Sequence, residues 1–266
     1  MSELKHAWAA GDSTLGLWLT SNSAAVAETV GDLGFDYVNI DMQHGFADYA
    51  DVVAMMRAMV PAGSGAAAST ITCRVPWNEP GIIGRVLDAG AMGVIIPMVN
   101  TVEQAERAVA ACRYAPDGAR SFGPVRAARV NGPDYHPTAN ERVACIPMIE
   151  TVEALGNLDA ILDVPGIDAV YVGPADLSLT LGLPPQGDHD DASFNEALAT
   201  IVAACNRRGI VAGIHANPQI TAKRLEQGFR MVTVSSDLQA LTAGALAALQ
   251  AAGADESDVE SDAPLY

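Results

Sequence analysis

Eight short runs of β-branched and apolar residues, each followed by a run with helical spacing, recur along this chain. Parallel strands need a crossover of a dozen or more residues, usually a helix, so this alternation restricts the chain to an α/β architecture. The candidate strands are Leu15 to Leu19, Tyr37 to Asp41, Thr70 to Val75, Val94 to Pro97, Val143 to Glu150, Ala169 to Gly173, Ile210 to His215 and Met231 to Ser235. The spacing predicts helices at Ser23 to Leu33, Tyr49 to Met59, Pro80 to Asp88, Val102 to Cys112, Val152 to Leu162, Phe194 to Arg207, Ile220 to Gln227 and Asp237 to Gln250. Because each strand has its own helix, a closed (β/α)8 TIM barrel is favoured over an open doubly wound sheet. The steps Leu33-Gly34, Ala89-Gly90 and Gln227-Gly228 precede strands, where a glycine would end a helix. With 266 residues, half of them apolar, the chain can fill one large core. A single barrel domain is expected over 1–252, followed by an acidic, unfolded tail over 253–266.

Several function classes fall away on composition. A formal charge of −17 disfavours nucleic acid, which needs clustered Lys and Arg. The longest apolar stretch, Met92 to Val99, contains a proline and is too short to span a bilayer. Without a basic, apolar leader, a cytoplasmic protein is expected. Cys73, Cys112, Cys145 and Cys205 lie far apart with no CxxC, so small buried thiols are expected and neither a disulfide framework nor a zinc knuckle.

One connection is too long for a simple turn. The stretch between Cys112 and Val143, rich in Pro, Gly and Arg, is expected to serve a site or an interface, either covering the active site or reaching a neighbouring subunit. Its Arg120, Arg126 and Arg129 are candidates for a distal substrate carboxylate, although a solvated loop role suits at least two of them.

In barrels of this kind reactive groups gather at the C-terminal ends of the strands. There the sequence offers Asp41-Met42-Gln43-His44-Gly45, Arg74, Glu150 and Gly173-Pro174-Ala175-Asp176. Two carboxylates from adjacent strands, with an arginine and a histidine nearby, suit a hard divalent ion such as Mg2+ or Mn2+. Each residue also has an ordinary structural role. Glu150 and Asp176 could be helix-start acids, His44 a hydrogen-bonded loop residue, and Arg74 a partner of a backbone carbonyl. Their joint occurrence at four strand ends tips the balance towards a site. Trp18, ending the first strand, either lines the pocket or closes the barrel mouth.

The motifs GLWLT from Gly16, GFDYVNIDMQHG, CRVPWNEP, DAGAMGVIIPMV, RYAPDGARSFG, IPMIET and VYVGPADLS together resemble the HpcH/HpaI aldolases over nearly the whole chain. These enzymes cleave 4-hydroxy-2-oxo acids, some of them dicarboxylic, to pyruvate and an aldehyde. The resemblance implies a barrel of the phosphoenolpyruvate/pyruvate-binding type, with a divalent metal (Mg2+, Mn2+ or Co2+) on Glu150 and Asp176. It implies that Arg74 contacts the pyruvate oxygens and that His44, held by Asp41, moves the proton. Gly173, Pro174, Ala175, Trp18 and Gln43 would line the substrate subsite, and a homohexamer built as a trimer of dimers that exchange their last helix is implied. Gln43 and Ser121 stand where many relatives carry Glu and Gly, departures that bear on substrate preference and leave the implied ligands intact.

Two further points follow from the residues. Metal-free pyruvate aldolases need a Schiff-base lysine, and the only lysines, Lys5 and Lys223, fall before the first strand and within a late helix. Asn217-Pro218-Gln219 and Ser236-Asp237-Leu238 replace the glycine-rich amides that bind phosphate after strands seven and eight, which favours a non-phosphorylated substrate. The competing readings are a metal-dependent acyl-thioester lyase of the malyl or citramalyl type and a barrel that has lost catalysis.

Overall fold

Residues 3–59 and 69–253 are described by a computed structural model. The eight expected strands all form: β1 (Thr14–Leu19), β2 (Tyr37–Asp41), β3 (Thr70–Arg74), β4 (Gly93–Ile96), β5 (Ala144–Pro147), β6 (Ala169–Val172), β7 (Val211–His215) and β8 (Met231–Ser236). They pair in parallel in the order β5-β4-β3-β2-β1-β8-β7-β6. The two ends meet through a bridge between Met148 and Tyr171 and through Ile149 N donating to Tyr171 O at 2.9 Å, which brings the sheet round into a barrel. Strand burial is nearly continuous, as expected where helices cover the outside and side chains fill the inside.

The barrel interior holds Trp18, Tyr37, Ile95, Ile146, Met148, Tyr171 and Met231. Its two tyrosine hydroxyls share one partner: Tyr37 Oη and Tyr171 Oη lie 2.9 and 2.5 Å from Thr233 Oγ1. Room for the Tyr37 ring comes from Gly16, where a Cβ would fall 2.2 Å from the ring.

The helices are α1 (Glu3–Ala10), α2 (Ala24–Gly31), α3 (Tyr49–Ala58), α4 (Pro80–Ala89), α5 (Val102–Cys112), α6 (Ala127–Asn131), α7 (Tyr135–Arg142), α8 (Val152–Gly156), α9 (Leu158–Leu162), α10 (Pro174–Thr180), α11 (Ala192–Arg208), α12 (Thr221–Glu226) and α13 (Asp237–Ala251). Gly34, Gly90 and Gly228 all take positive φ at the expected helix stops. Four features depart from the expected pattern. Helix α1 is additional; its Leu4 and Trp8 join the interior cluster and stopper the N-terminal end of the barrel, with Trp8 Nε1 donating to Thr14 Oγ1 at 3.0 Å. The helix expected over 152–162 is two, broken at Gly156-Asn157, where the Asn157 amide donates to Asn100 O at 2.8 Å. A short helix, α10, follows β6 directly.

The fourth departure is the long connection, which contains α6 and α7 and lies at the end of the barrel opposite the strand C-termini. Arg113 donates to Val143 O and Gly166 O, and Tyr114, Ala127, Tyr135 and Ala139 cluster on Met92, just before β4. The expectation that this stretch covers the chain's own active site is therefore not met. Helix α5 runs antiparallel to β4, so the chain leaves it at the strands' N-terminal end. Arg120 is buried there on Asp88 (2.7 Å) and Tyr135 Oη (3.1 Å), and Arg126 donates to the carbonyls of Met56 and Ala89. Neither is available to a substrate at the mouth, and neither is Arg129, which is exposed on α6 beside Arg126 at that same end.

All four cysteines are buried and free, and no helix among the described residues is long and apolar enough to cross a membrane. The expected acidic tail lies outside the described residues apart from its first position, Gly253.

Gly16→Ala is expected to destabilise the fold by about 2–3 kcal/mol, the usual scale for overpacking, since the methyl would collide with a buried ring that has no free space to enter. Chemical denaturation would measure it, and an unchanged midpoint would count against the tight Gly16–Tyr37 contact.

Candidate active site

Asp41 and Arg74 end β2 and β3 at the same level of the register. Their side chains form a two-pronged ion pair, Nε to Oδ1 at 2.8 Å and Nη2 to Oδ2 at 2.6 Å, with almost no exposure on either partner. Trp18, on neighbouring β1, lies beneath it: the Arg74 guanidinium carbon is 4.3 Å from the centre of the Trp18 ring. That ring stacks on Tyr171 at 5.5 Å and meets His215 edge-on at 5.0 Å. Arg74 is thus fixed by a carboxylate on one side and an aromatic face on another, and only a planar guanidinium can make both parallel bonds while stacking on the ring. Trp18 is 1% exposed, which makes it a floor under Arg74.

After β2 the chain makes a tight turn. Asp41 Oδ1 accepts the backbone N–H of Gln43 at 3.0 Å and of His44 at 3.4 Å. A Cβ at Gly45 would fall 2.2 Å from Asp41 O, so only glycine fits this close approach. The expected Asp41–His44 pairing therefore includes the His44 main chain, while the Asp41 carboxylate is primarily the partner of Arg74. The His44 imidazole is exposed at the rim, and partial burial, followed by the field of Arg74, lowers its pKa below the ordinary 6.5 against the opposing pull of Asp41 and Asp176. That direction favours the neutral imidazole, the form able to accept a proton.

Across the mouth, Glu150 follows β5 and is 2% exposed. Its Oε1 accepts the backbone N–H of Met98 at 2.8 Å. Met98 has φ +56°, a left-handed conformation unusual for a side chain of its size, and this conformation accompanies the amide that holds the carboxylate. Burial raises Glu150 to about 7, with Asp176 adding to the rise; Met98 and, more weakly, Arg74 oppose it. Asp176 stands in the first turn of α10, capped by Gly173. A Cβ at Gly173 would lie 2.3 Å from Glu150 Oε2, so this glycine lets the turn close over the carboxylate. Pro174 and Ala175 are buried in the same turn.

Asp41 and Arg74 at the ends of β2 and β3, His44 after β2, Glu150 after β5 and Asp176 after β6 all stand at the C-terminal end of the barrel, near enough for the charges of Arg74 and Asp176 to reach both His44 and Glu150. Glu150 and Asp176 are the residues there that could hold a metal. Two carboxylate donors, one of them buried and reluctant to ionise alone, suit a hard divalent cation whose remaining positions go to water and substrate oxygen. The donor set therefore fits an open site.

Two residues at the mouth were not singled out from sequence. Met98 contributes only an amide, which no motif announces. His215 ends β7, 7% exposed, and burial followed by the field of Arg74 lowers it to about 4. The strand-end rule that found Arg74 would have found it too. At the β1–β8 rim the buried carboxylate of Asp237 accepts Thr20 N at 2.8 Å and Thr20 Oγ1 at 2.7 Å, so an acid stands where phosphate-binding barrels present amides.

Comparison with known proteins identifies the family. The profile of the HpcH/HpaI aldolase/citrate lyase family matches residues 14–243. The chain is 39% identical over 246 residues to a hydroxypyruvate/pyruvate aldolase of Rhizorhabdus wittichii, covering 92% of this chain and 96% of the relative. It is 38% identical over 258 residues to a 4-hydroxy-2-oxo-heptane-1,7-dioate aldolase of Salmonella paratyphi A, covering 95% of each. The crystal structure of an HpcH/HpaI aldolase/citrate lyase family protein from Burkholderia cenocepacia superposes with a TM-score of 0.87 at 34% identity, covering 96% of this chain and all of the other. With the family profile spanning most of the barrel and the relatives matching nearly end to end, this chain belongs to the HpcH/HpaI aldolase/citrate lyase family.

Proposed function

We propose that the protein is a class II aldolase that cleaves 4-hydroxy-2-oxo acids reversibly to pyruvate and an aldehyde. The observation that carries this reading is the immobilised Arg74 facing Glu150 and Asp176 across one mouth, with a neutral histidine at the rim. Glu150 and Asp176 would hold a divalent cation, Mg2+, Mn2+ or Co2+. When bound, that cation supplies Lewis-acid stabilisation of the negative charge left on the 2-oxo acid as the C3–C4 bond breaks. Arg74, already oriented by Asp41 and Trp18, donates to the same oxygens without reorganising during the reaction. His44 takes the C4 hydroxyl proton as that carbon becomes the aldehyde, a role suited to a neutral imidazole at the edge of solvent. Gly173, Pro174 and Ala175 wall the pyruvate subsite, and Gln43 borders the aldehyde side.

The lysines support this route over imine chemistry. Lys5 pairs with Asp168 at 2.6 Å at the far end of the barrel, and Lys223 pairs with Asp188 at 2.6 Å on α12. Asp237 supports a non-phosphorylated substrate. We also propose a cytoplasmic homohexamer, a trimer of dimers formed by a single barrel domain; the exposed Leu241 and Leu249 of α13 are consistent with that helix packing on a neighbour.

Chelator-stripped protein is expected to release no pyruvate from 4-hydroxy-2-oxo acids and to regain turnover on adding Mg2+, Mn2+ or Co2+. Full turnover by the stripped, metal-free protein would overturn the assignment. Arg74→Lys is expected to keep the charge but lose the fork, lowering kcat/KM by about 100-fold or more. Arg74→Ala would also strand a buried Asp41, at about 3–5 kcal/mol of stability, so the lysine variant is the cleaner probe.

Glu150 yields a pH prediction. Its pKa in the folded, metal-free chain is raised above the unfolded value, so that chain is expected to lose about 3 kcal/mol of stability as pH rises from about 4.5 to about 7. Metal binding must displace the same proton, so affinity should rise roughly tenfold per pH unit up to about 7 and level off above it. Glu150→Gln is expected to weaken metal binding and to abolish that dependence. Calorimetric titration with Mn2+ at pH 6 and pH 8 checks both, and equal affinities at the two values for the unsubstituted protein would count against Glu150 as a ligand.

A further inference from the structure

Away from the mouth, one groove carries an unexpected excess of positive charge. The chain has 32 acidic residues against 15 Lys and Arg, yet Arg57, Arg126 and Arg129 line a single groove of about 410 Å³, with Val53, Val125 and Val130 as its apolar walls. Among the described residues, the ion pairs of the chain involve none of these three arginines. The groove lies at the end of the barrel opposite the active site, because Arg126 donates to carbonyls in the last turns of α3 and α4, whose chains run back from the mouth.

Arg126 is a built cation. Its Nη2 donates to Met56 O at 2.9 Å and its Nη1 to Ala89 O, so two carbonyls at helix C-termini fix the guanidinium plane. Gly90 makes way for it: in the left-handed conformation at φ +115°, a Cβ there would fall 2.7 Å from Arg126 Nη1. Partial burial, followed by repulsion from Arg57 and Arg129, makes Arg126 less willing to hold its proton than an ordinary arginine. Three cations sharing one concavity without counter-charge repel one another, and an anion placed among them would relieve that repulsion and gain charge-assisted hydrogen bonds.

We propose that this groove binds a small oxyanion carrying two or more negative charges, a phosphate or a di- or tricarboxylate, at a site separate from the catalytic mouth. Multiple charge is required because the cations number three. Small size follows from the volume, and the three valines favour an anion with a carbon skeleton over a bare ion. The inference does not depend on the proposed aldol chemistry.

Calorimetric titration of the full chain with sodium phosphate, and separately with citrate, at low ionic strength tests it, with acetate as the singly charged control. Saturable binding with Kd of about 1 mM or tighter is expected for the multiply charged anions, and binding about tenfold or more weaker in the double variant R57Q/R129Q. Both positions are exposed, so the variant should fold and turn over substrate as the unsubstituted protein does. A stronger response to citrate than to phosphate would identify a polycarboxylate as the ligand class, and the reverse a phosphate. Equal binding by R57Q/R129Q, which would place the anion at the mouth, overturns the proposal, as does saturable binding by neither anion.

Discussion

A charged pair shut inside an apolar barrel imposes the constraints that the rest of this structure answers. Asp41 and Arg74 are buried together at the ends of adjacent strands, where an unpaired charge would cost several kcal/mol. The pair survives because its geometry is bidentate, because the Asp41 carboxylate also takes two backbone amides, and because Trp18 offers its face to the guanidinium. Each of these supports comes from a different strand or turn. Barrel closure and β2–β3 register are therefore conditions for the site as well as for the core, since a one-residue slip would turn one partner outward.

The opposite side of the mouth works by the reverse logic. Glu150 is buried without a full counter-charge, so in isolation it resists ionising, and among the described residues the amide of Met98, in its left-handed conformation, is directed at it. Gly173 closes over this carboxylate, an arrangement suited to a positive charge beside it. The two halves of the mouth thus differ in kind: one holds a charged pair satisfied within itself, the other a buried carboxyl that resists ionising alone. In the function proposed above, the anionic 2-oxo acid and a metal ion would lie between the two halves.

The far end of the barrel is closed by different means. Helix α1 inserts Leu4 and Trp8 into the interior, and the long connection packs its own small cluster of Tyr114, Ala127 and Tyr135 beneath β4. Arginines there serve the backbone: Arg113 and Arg126 donate to carbonyls next to strand starts and at helix ends, and Arg113 also pairs with Asp168. Arg120 likewise spends its charge on Asp88 and on Tyr135.

Strands β1 to β8 were legible in the sequence because a parallel strand buried on both faces must be a short, almost wholly apolar run, and because glycines at positive φ stop the intervening helices. The site acids and Arg74 were legible for a related reason: a charged residue directly after such a run has nowhere to go but the barrel mouth. Helix α1, the break at Asn157 and the course of the long connection were not legible, since each depends on contacts distant in sequence. Trp18 could be placed at the mouth but not under Arg74, and Met98 could not be found at all, because its role lies in a backbone amide. The sequence by itself therefore determined the alternation of elements and the residues that gather at their ends, through local periodicity and the cost of burying charge. Only the tertiary structure decided which of those charges satisfy one another and which stay open, because that depends on register and approach distances between segments that periodicity does not encode.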